Sequence, residues 1–348
     1  MNTTIFRHIT RRRTVRGFTL VELLVAMAIG LLIVLAAVAS LTATRRGAST
    51  VDAASQLRDD ARFASDLIQR LVVQTGFEDL DFVRRPYGGS IGTYKGLNGL
   101  DPSTLVAAVS GFDNAIPSAT DPVNTATVRT AGSLGYGSDA LILRYDPVKV
   151  TDTTTDGSMI TCDGASPNMP AANRADRSIS VLYVNTSSGN EPALMCIKID
   201  GASGTPSTPT PLIKGVESFQ VLYGVDNVTA NAVPTGATTS VPNQFLRANQ
   251  LTVAGNDAAT QTNWRRVRSL RIGLVLRGPA GSAQSSEAQT LYPLGTNFQT
   301  SGDPGSKFTA TDGRLRQVVT FTVNLRNCQN QGYQPASSGT GCDVVLPS

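Results

Sequence analysis

The stretch that decides the fold lies close to the N-terminus and reads Arg16-Gly17-Phe18-Thr19-Leu20-Val21-Glu22-Leu23-Leu24-Val25-Ala26-Met27-Ala28-Ile29-Gly30. The apolar run that begins here covers residues 18–41, with Glu22 as its single charge. At 1.5 Å per residue such a helix is about 36 Å long, which is enough to cross the hydrocarbon core of a bilayer. The sequence therefore predicts a membrane-spanning N-terminal helix.

The basic residues are unevenly distributed along the chain. Its 348 residues include 30 Lys+Arg, 26 Asp+Glu and one His, a formal net charge of +4. Five arginines and the histidine, His8, precede Gly17, and without residues 1–17 the formal charge is −1. A basic segment before an apolar run keeps the N-terminus cytoplasmic, so residues 1–17 are interpreted as a cytoplasmic leader peptide. Once the leader is removed no histidine remains, which excludes Ser-His-Asp hydrolases, Cys-His proteases and His-ligated metalloenzymes.

The junction at residues 16–30 resembles the class III signal of type IV prepilins, the precursors of pilins and pseudopilins. In that family a prepilin peptidase cuts after the glycine and methylates the new N-terminal residue. The resemblance implies processing between Gly17 and Phe18, and it makes Glu22 the glutamate that acts in assembly. An ordinary signal anchor is the alternative.

Glu22 needs a partner because a lone carboxylate in an apolar helix costs about 2.5–3.5 kcal/mol on insertion scales. In a pilus the expected partner is the N-terminal amine of a neighbouring subunit, and the pairing would fix the axial register. The alternative is that Glu22 snorkels to water at the membrane edge.

Helical periodicity continues beyond the apolar run. Apolar residues recur at spacings of three and four over residues 51–72, and Gly76 is placed to end the helix. We predict one helix over residues 18–76, transmembrane to about residue 41. A free-standing coiled coil is the alternative for residues 48–75.

From residue 77 onward the hydrophobic period is two, which is typical of strands. Connectors rich in Gly, Pro, Ser and Thr separate the apolar runs. The expected fold class is α+β: a pilin-like long N-terminal helix packed on a large antiparallel β head, residues 77–348, made of one or two sheets. The predicted strands lie at residues 140–145, 180–184, 193–199, 216–223, 270–276 and 318–325.

Several segments downstream of the apolar run resemble PilW-type minor pilins. They are the helix end Gln74-Thr75-Gly76-Phe77 and the patches at residues 57–64, 137–141, 215–226, 264–273 and 312–317. The resemblance implies a structural subunit, not an enzyme, with no cofactor. It also implies a role in initiating a type IV pilus within a priming or tip complex, in support of motility or adhesion.

The same resemblance implies the partners and the location of the protein. The partners are other minor pilins, the major pilin, the prepilin peptidase and a tip adhesin. The protein would first lie in the bacterial inner membrane with a periplasmic head and would then join the pilus, near its tip. A minor pseudopilin of type II secretion is the alternative, and a membrane-anchored periplasmic binding module is a more remote one.

Four cysteines, Cys162, Cys196, Cys328 and Cys342, fall in the part of the chain that is expected to be periplasmic. An even number suggests disulfides there, and four cysteines allow three connectivities. The preferred pairs are Cys162–Cys196 and Cys328–Cys342; the second would close a polar C-terminal loop of the kind that pilins often carry. Free buried thiols are the alternative.

One acidic segment has the spacing of a calcium loop. Asp152, Asp156 and Asp163 occupy positions 1, 5 and 12 of an EF-hand-like register. The flanking helices are not predicted, and position 12 carries an aspartate in place of the usual glutamate. A solvated turn is therefore the preferred interpretation, and no metal is expected.

A basic cluster follows Trp264. It consists of Arg265, Arg266, Arg268 and Arg271, and arginines beside an aromatic ring are typical of single-stranded nucleic-acid sites. Strand alternation would divide these arginines between two faces of a sheet. No nucleic-acid partner is therefore expected.

Overall fold

The computed structural model describes residues 17–77 and 106–327, apart from residues 152, 168–169, 171–175, 188, 202–203 and 284. The chain divides into two compact units, Met1–Val51 and Asp52–Ser348. The first unit contains the apolar part of the N-terminal helix. The second contains the rest of that helix and the β-rich region, and we call its residues 106–327 the head.

Helix α1 covers Leu20–Gln74 without a break at Gly30 or Gly47. In the first unit its large apolar side chains are all more than half exposed, and their composition is that of a membrane span. Among the described residues α1 is the one helix that is long and apolar enough to cross a membrane. The long apolar helix predicted from the sequence is confirmed.

In the second unit one face of α1 is buried in the core. The buried side chains recur at helical spacing: Ala53, Leu57, Ala61, Ala64, Ile68, Leu71 and Val72. Five of them belong to the same apolar cluster as Leu141, Leu182 and other strand residues. Each buried Leu or Ile contributes about 1.5–3 kcal/mol. This part of the helix therefore packs on the head, and the coiled-coil alternative is wrong.

Helix α1 ends at the turn predicted from the sequence. Gly76 has a φ of +78°, a left-handed conformation that glycine adopts without a Cβ penalty. Its N–H donates to the carbonyl of Arg144 at 2.9 Å, and the carbonyl of Phe77 accepts from the N–H of Asp146 at 2.9 Å. The end of the helix is thus bonded directly to a strand of the head.

The described residues form fifteen strands and a second α-helix. The strands in chain order are β1 Val109–Phe112, β2 Ala115–Pro117, β3 Ala126–Val128, β4 Ala140–Tyr145, β5 Lys149–Thr151, β6 Thr154–Thr155, β7 Ser178–Thr186, β8 Pro192–Ile199, β9 Thr210–Lys214, β10 Val216–Val225, β11 Gln244–Leu246, β12 Val267–Arg277, β13 Gln289–Leu291, β14 Phe308–Ala310 and β15 Arg316–Asn324. Helix α2 covers Asp257–Arg265.

Two antiparallel sheets make up most of the head. A five-stranded sheet has the order β1-β4-β7-β8-β9, and a four-stranded sheet has the order β11-β10-β12-β15. The remaining strands form three two-stranded ribbons, β2-β3, β5-β6 and β13-β14. All six strands predicted from the sequence are present, and the α+β class with two sheets is confirmed.

Candidate processing and assembly site

The predicted processing bond joins Gly17 and Phe18, just before the first turn of α1. Neither residue is helical, and Phe18 is 87% exposed. A Cβ atom built on Gly17 would meet nothing within 4 Å. Among the described residues the bond therefore lies in an exposed, non-helical stretch, whereas the bonds from Leu20 onward are part of the helical hydrogen-bond ladder. The rest of the leader, residues 1–16, lies outside the described residues.

Glu22 caps the N-terminus of α1. Its Oε2 accepts the backbone N–H and the hydroxyl of Thr19, both at 3.1 Å, and its own N–H donates to Thr19 Oγ1 at 3.3 Å. This reciprocal pair is a capping box, which satisfies backbone donors that a helix start leaves free. A carboxylate there also lies near the positive end of the helix dipole. Glu22 thus has a local partner within its own chain.

Thr19 is the functional residue that the sequence reasoning missed. Its signal was present, because Thr19 and Glu22 form a Thr-x-x-Glu pattern directly before an apolar run. The charge of Glu22 alone does not indicate this role. The structure adds that Glu22 fixes the first turn of the helix.

Cys162 and Cys196 form a disulfide, the first of the two pairs preferred from the sequence. Both residues are buried, and the Cys162 N–H donates to Ser180 Oγ at 3.0 Å. Two residues earlier, Ile160 exchanges two hydrogen bonds with the side chain of Gln74, the last residue of α1. The disulfide therefore joins β8 to the segment around Ile160, which is hydrogen-bonded to the end of α1. Cys328 and Cys342 lie outside the described residues.

The calcium candidate has its carboxylates engaged locally. Asp156 Oδ1 accepts the N–H of Ser158 at 2.9 Å and its hydroxyl at 2.7 Å. Asp163 forms an ion pair with Lys198 at 2.7 Å, and hydrogen bonds from Lys198 and Thr161 lower the pKa of its carboxyl. Asp152 lies outside the described residues. Across the part of the chain that the structure covers, no group of three or more His, Cys, Asp or Glu side chains is arranged to hold a metal.

The arginines after Trp264 do not form one strand. Arg265 is the last residue of helix α2, and Arg266 is its C-cap. The helix begins after Asn256, whose side chain accepts the N–H of Ala259 at 3.0 Å. The remaining two lie on β12, where Arg268 donates to the Arg265 carbonyl and Arg271 donates to the carbonyl of Leu294. The strand-alternation argument is wrong for the first two, because the polar segment before Trp264 is helical.

The patches that resemble PilW meet at strand β10. The N–H of Phe219 donates to Ser138 Oγ at 3.2 Å, and the N–H of Val221 donates to Asp139 Oδ2 at 2.8 Å. Trp264 packs edge-on against Tyr223 with 4.8 Å between ring centroids. These contacts join the segment before β4, in the five-stranded sheet, to the centre of the four-stranded sheet. We call this junction the seam.

Three carboxyls, Asp113, Asp139 and Asp303, lie close together at the seam. Burial raises the pKa of all three, and mutual repulsion adds to the effect for Asp139 and Asp303. Asp113 forms an ion pair with Arg247 at 3.2 Å, and Asp303 accepts the N–H of Gly305 at 2.9 Å. Each carboxyl therefore has a structural bonding partner.

A chain of ion pairs crosses one end of the four-stranded sheet. Glu217 on β10 accepts from Arg277 at 3.1 Å and from Arg316 at 2.6 Å. Arg277 also pairs with Glu191, in the turn between β7 and β8 of the other sheet, at 3.0 Å. Arg316 pairs with Asp312 at 2.6 Å. Hydrogen bonds to these carboxylates raise the pKa of both arginines despite burial.

The chain thus has a long, exposed apolar helix with a capped N-terminus, and the rest of that helix packs on antiparallel sheets. This is the arrangement that the resemblance to pilins implies. Residues 12–38 match the family model of the prokaryotic N-terminal methylation motif, and residues 181–327 match that of the type IV pilus-assembly protein W. The resemblance to type IV prepilins, and within them to PilW-type minor pilins, is confirmed. The methylation motif and the apolar helix are those of a membrane-anchored pilin.

No curated protein matches the chain. Among solved structures, the chain is similar to a type IV-like pilin from Thermus thermophilus, with 16% sequence identity and a TM-score of 0.37. That alignment covers 78% of this chain and 98% of the other.

Proposed function

We propose that this chain is a minor pilin without enzymatic activity, processed between Gly17 and Phe18, that helps to initiate a type IV pilus in a priming or tip complex. The observation that carries the proposal is the junction itself, where an uncovered Gly17–Phe18 bond immediately precedes a capped apolar helix. Its partners are the prepilin peptidase, other minor pilins, the major pilin and a tip adhesin. Before assembly the head lies in the periplasm.

Glu22 has two roles in this proposal. In the single subunit its carboxylate accepts from Thr19, which offsets part of the cost of placing a charge in an apolar helix. During assembly it pairs with the N-terminal amine of a neighbouring subunit. Because each processed subunit carries one such amine and one Glu22, the pairing sets the axial register between neighbours.

Two substitutions separate these roles. Glu22→Gln keeps an acceptor for the Thr19 cap but removes the charge, whereas Glu22→Ala removes both. If charge pairing drives assembly, both variants are expected to abolish incorporation of the subunit into pili, measured by immunoblotting of sheared filaments. Wild-type incorporation of the Gln variant would show that only the cap matters and would contradict the pairing.

Cleavage after Gly17 and membership of a type IV pilus, as opposed to a type II secretion system, are tested by separate experiments. N-terminal sequencing of the exported protein is expected to begin at Phe18, and a start upstream of it would contradict processing at Gly17. Deletion of the gene is expected to remove surface pili. Normal piliation together with lost secretion of exoproteins would instead identify a type II secretion pseudopilin.

A further inference from the structure

Strand β15 forms an open edge of the four-stranded sheet. It pairs with β12 over nine consecutive residues without a register shift. Residues 317–324 contain no Pro, Gly or charged residue, and the side chains of Thr320, Thr322 and Asn324 are exposed. A long, regular and uncharged edge of this kind is a template for pairing with another strand.

Within residues 17–77 and 106–327, the backbone groups on the outer side of β15 have no partners. The N–H of Leu325 donates to the carbonyl of Arg268 on the inner side, so the alternate residues Val318, Thr320, Thr322 and Asn324 direct their N–H and C=O groups outward. Among the described residues nothing accepts from those amides or donates to those carbonyls. Each represents a hydrogen bond that a neighbouring strand would complete.

The other three edges of the two sheets are protected. Strand β9 has five residues, includes Pro211, and shifts register against β8. Strands β1 and β11 have only four and three residues. Short edges, prolines and bulges are the devices by which proteins prevent strand addition. Strand β15 has none of these three features, and this distinguishes its edge from the other three.

The core-facing row of β15 is incompletely covered. Val319 and Phe321 are half-buried, whereas Leu274 and Ile272, which pair with them on β12, have no exposed surface. An apolar side chain on an added strand would cover this row. The occupant that fits must therefore alternate apolar and polar residues and carry no charge in its central part.

We infer that β15 is a self-association surface, on which a second copy of this chain pairs its own β15 in antiparallel orientation. The register that overlaps all nine residues is centred on Thr320, and it places outward-directed residues opposite each other. It also brings Val319 of each copy next to Phe321 of the other, an apolar cross-strand pair that closes the half-covered row. No two charges of equal sign meet between residues 317 and 323. This inference does not rest on the proposed function.

The test compares Thr322→Pro with Thr322→Ala in the full chain, purified in detergent. Proline removes an outward N–H that no described residue accepts, and alanine changes the side chain but keeps that N–H. Sedimentation equilibrium over a range of concentrations is expected to show a monomer–dimer equilibrium for the wild type. We expect Thr322→Pro to raise the dimer dissociation constant at least tenfold and Thr322→Ala to change it less than threefold. Thr210→Lys, on the protected edge β9, is the matched control.

Hydrogen exchange keeps the test decisive if the proline variant folds poorly. In the wild type the amides of Val318, Thr320, Thr322 and Asn324 are expected to gain protection as the concentration rises. A monomer at every concentration, or equal dimerisation of wild type and Thr322→Pro, would overturn the inference. It would also be overturned if those amides were protected in the monomer and exposed by truncation after Asn327, since the edge would then be covered by the chain's own C-terminal segment.

Discussion

At the scale of single residues, Asp139 shows how one carboxyl holds two sheets together. Its two oxygens accept the backbone N–H groups of Asn114 and Val221 at 3.0 and 2.8 Å, and its own N–H donates to the Phe219 carbonyl. Burial, with the nearby charge of Asp113, raises its pKa well above the usual value. The seam therefore contains a group whose ionisation is linked to folding.

Asp139→Asn is expected to change the pH dependence of stability. A raised folded pKa means that the stabilisation is fully present below the unfolded pKa of about 4 and is lost as pH rises through the folded pKa. The amide does not titrate. The free energy of unfolding of the variant, relative to wild type, should therefore rise with pH, by about 1.4 kcal/mol for each unit over which folded Asp139 stays protonated.

The measurement is denaturant unfolding of the full chain in detergent between pH 4 and pH 8. Asp156→Asn is the matched control, because it makes the same change of side chain at an exposed position away from the seam. If the free energies of unfolding of Asp139→Asn and wild type differed by the same amount at every pH in this range, Asp139 would be ionised in the folded head throughout.

At the scale of elements, the sequence predicts what is long and periodic. Strands β10 and β12 have ten and eleven residues, and most of their side chains are buried, so their apolar runs stand out. The strands of the ribbons, with only two or three residues each, have no measurable period. Helix α2 was missed because its segment is polar and its buried Trp264 lies near the end. Its Asn256 cap was the one local signal of a helix.

The end of α1 depends on a residue that no local pattern reveals. Asn327, 252 residues after Thr75, directs Nδ2 to the carbonyls of Val73, Gln74 and Thr75 at 3.3, 3.4 and 3.1 Å. The last carbonyls of a helix have no partner within the helix itself. Asn327 therefore caps α1 although it is distant from the helix in sequence.

Asn327→Ala is expected to lower the free energy of unfolding by about 1 kcal/mol, because it leaves helix-terminal carbonyls without a donor. Asn324→Ala is the matched control: Asn324 is exposed at the end of β15, three residues before Asn327, and its loss should cost less than about 0.5 kcal/mol. Both values come from denaturant unfolding at neutral pH. If both variants lost the same free energy of unfolding, water would be able to replace Asn327 as the cap of α1 without cost.

At the scale of the whole molecule, the arrangement of the two sheets was not predictable from the sequence. The patches at residues 137–141, 215–226 and 312–317 were recognised one by one, but nothing in their spacing shows that they meet. In the structure all three converge on β10, through Asp139 and Val221 at one place and Arg316 and Glu217 at another. Contacts between residues 82 and 99 positions apart depend on tertiary packing, which a periodic pattern does not encode.

The ion pairs at the end of the four-stranded sheet are expected to contribute unequally to the free energy of unfolding. Glu217 is largely buried and holds two arginines, of which Arg316 is almost fully covered. Glu217→Gln leaves both with a weaker, neutral acceptor, and we expect a loss of about 2 kcal/mol that persists in 0.5 M salt, since buried pairs are poorly screened. Glu191 is more exposed, and Arg277 is its single ion-pair partner among the described residues. Glu191→Gln should cost less than about 1 kcal/mol, and salt should remove most of that. Denaturant unfolding at low and high salt separates the two, and equal, salt-sensitive losses would mean that solvent screens the whole network.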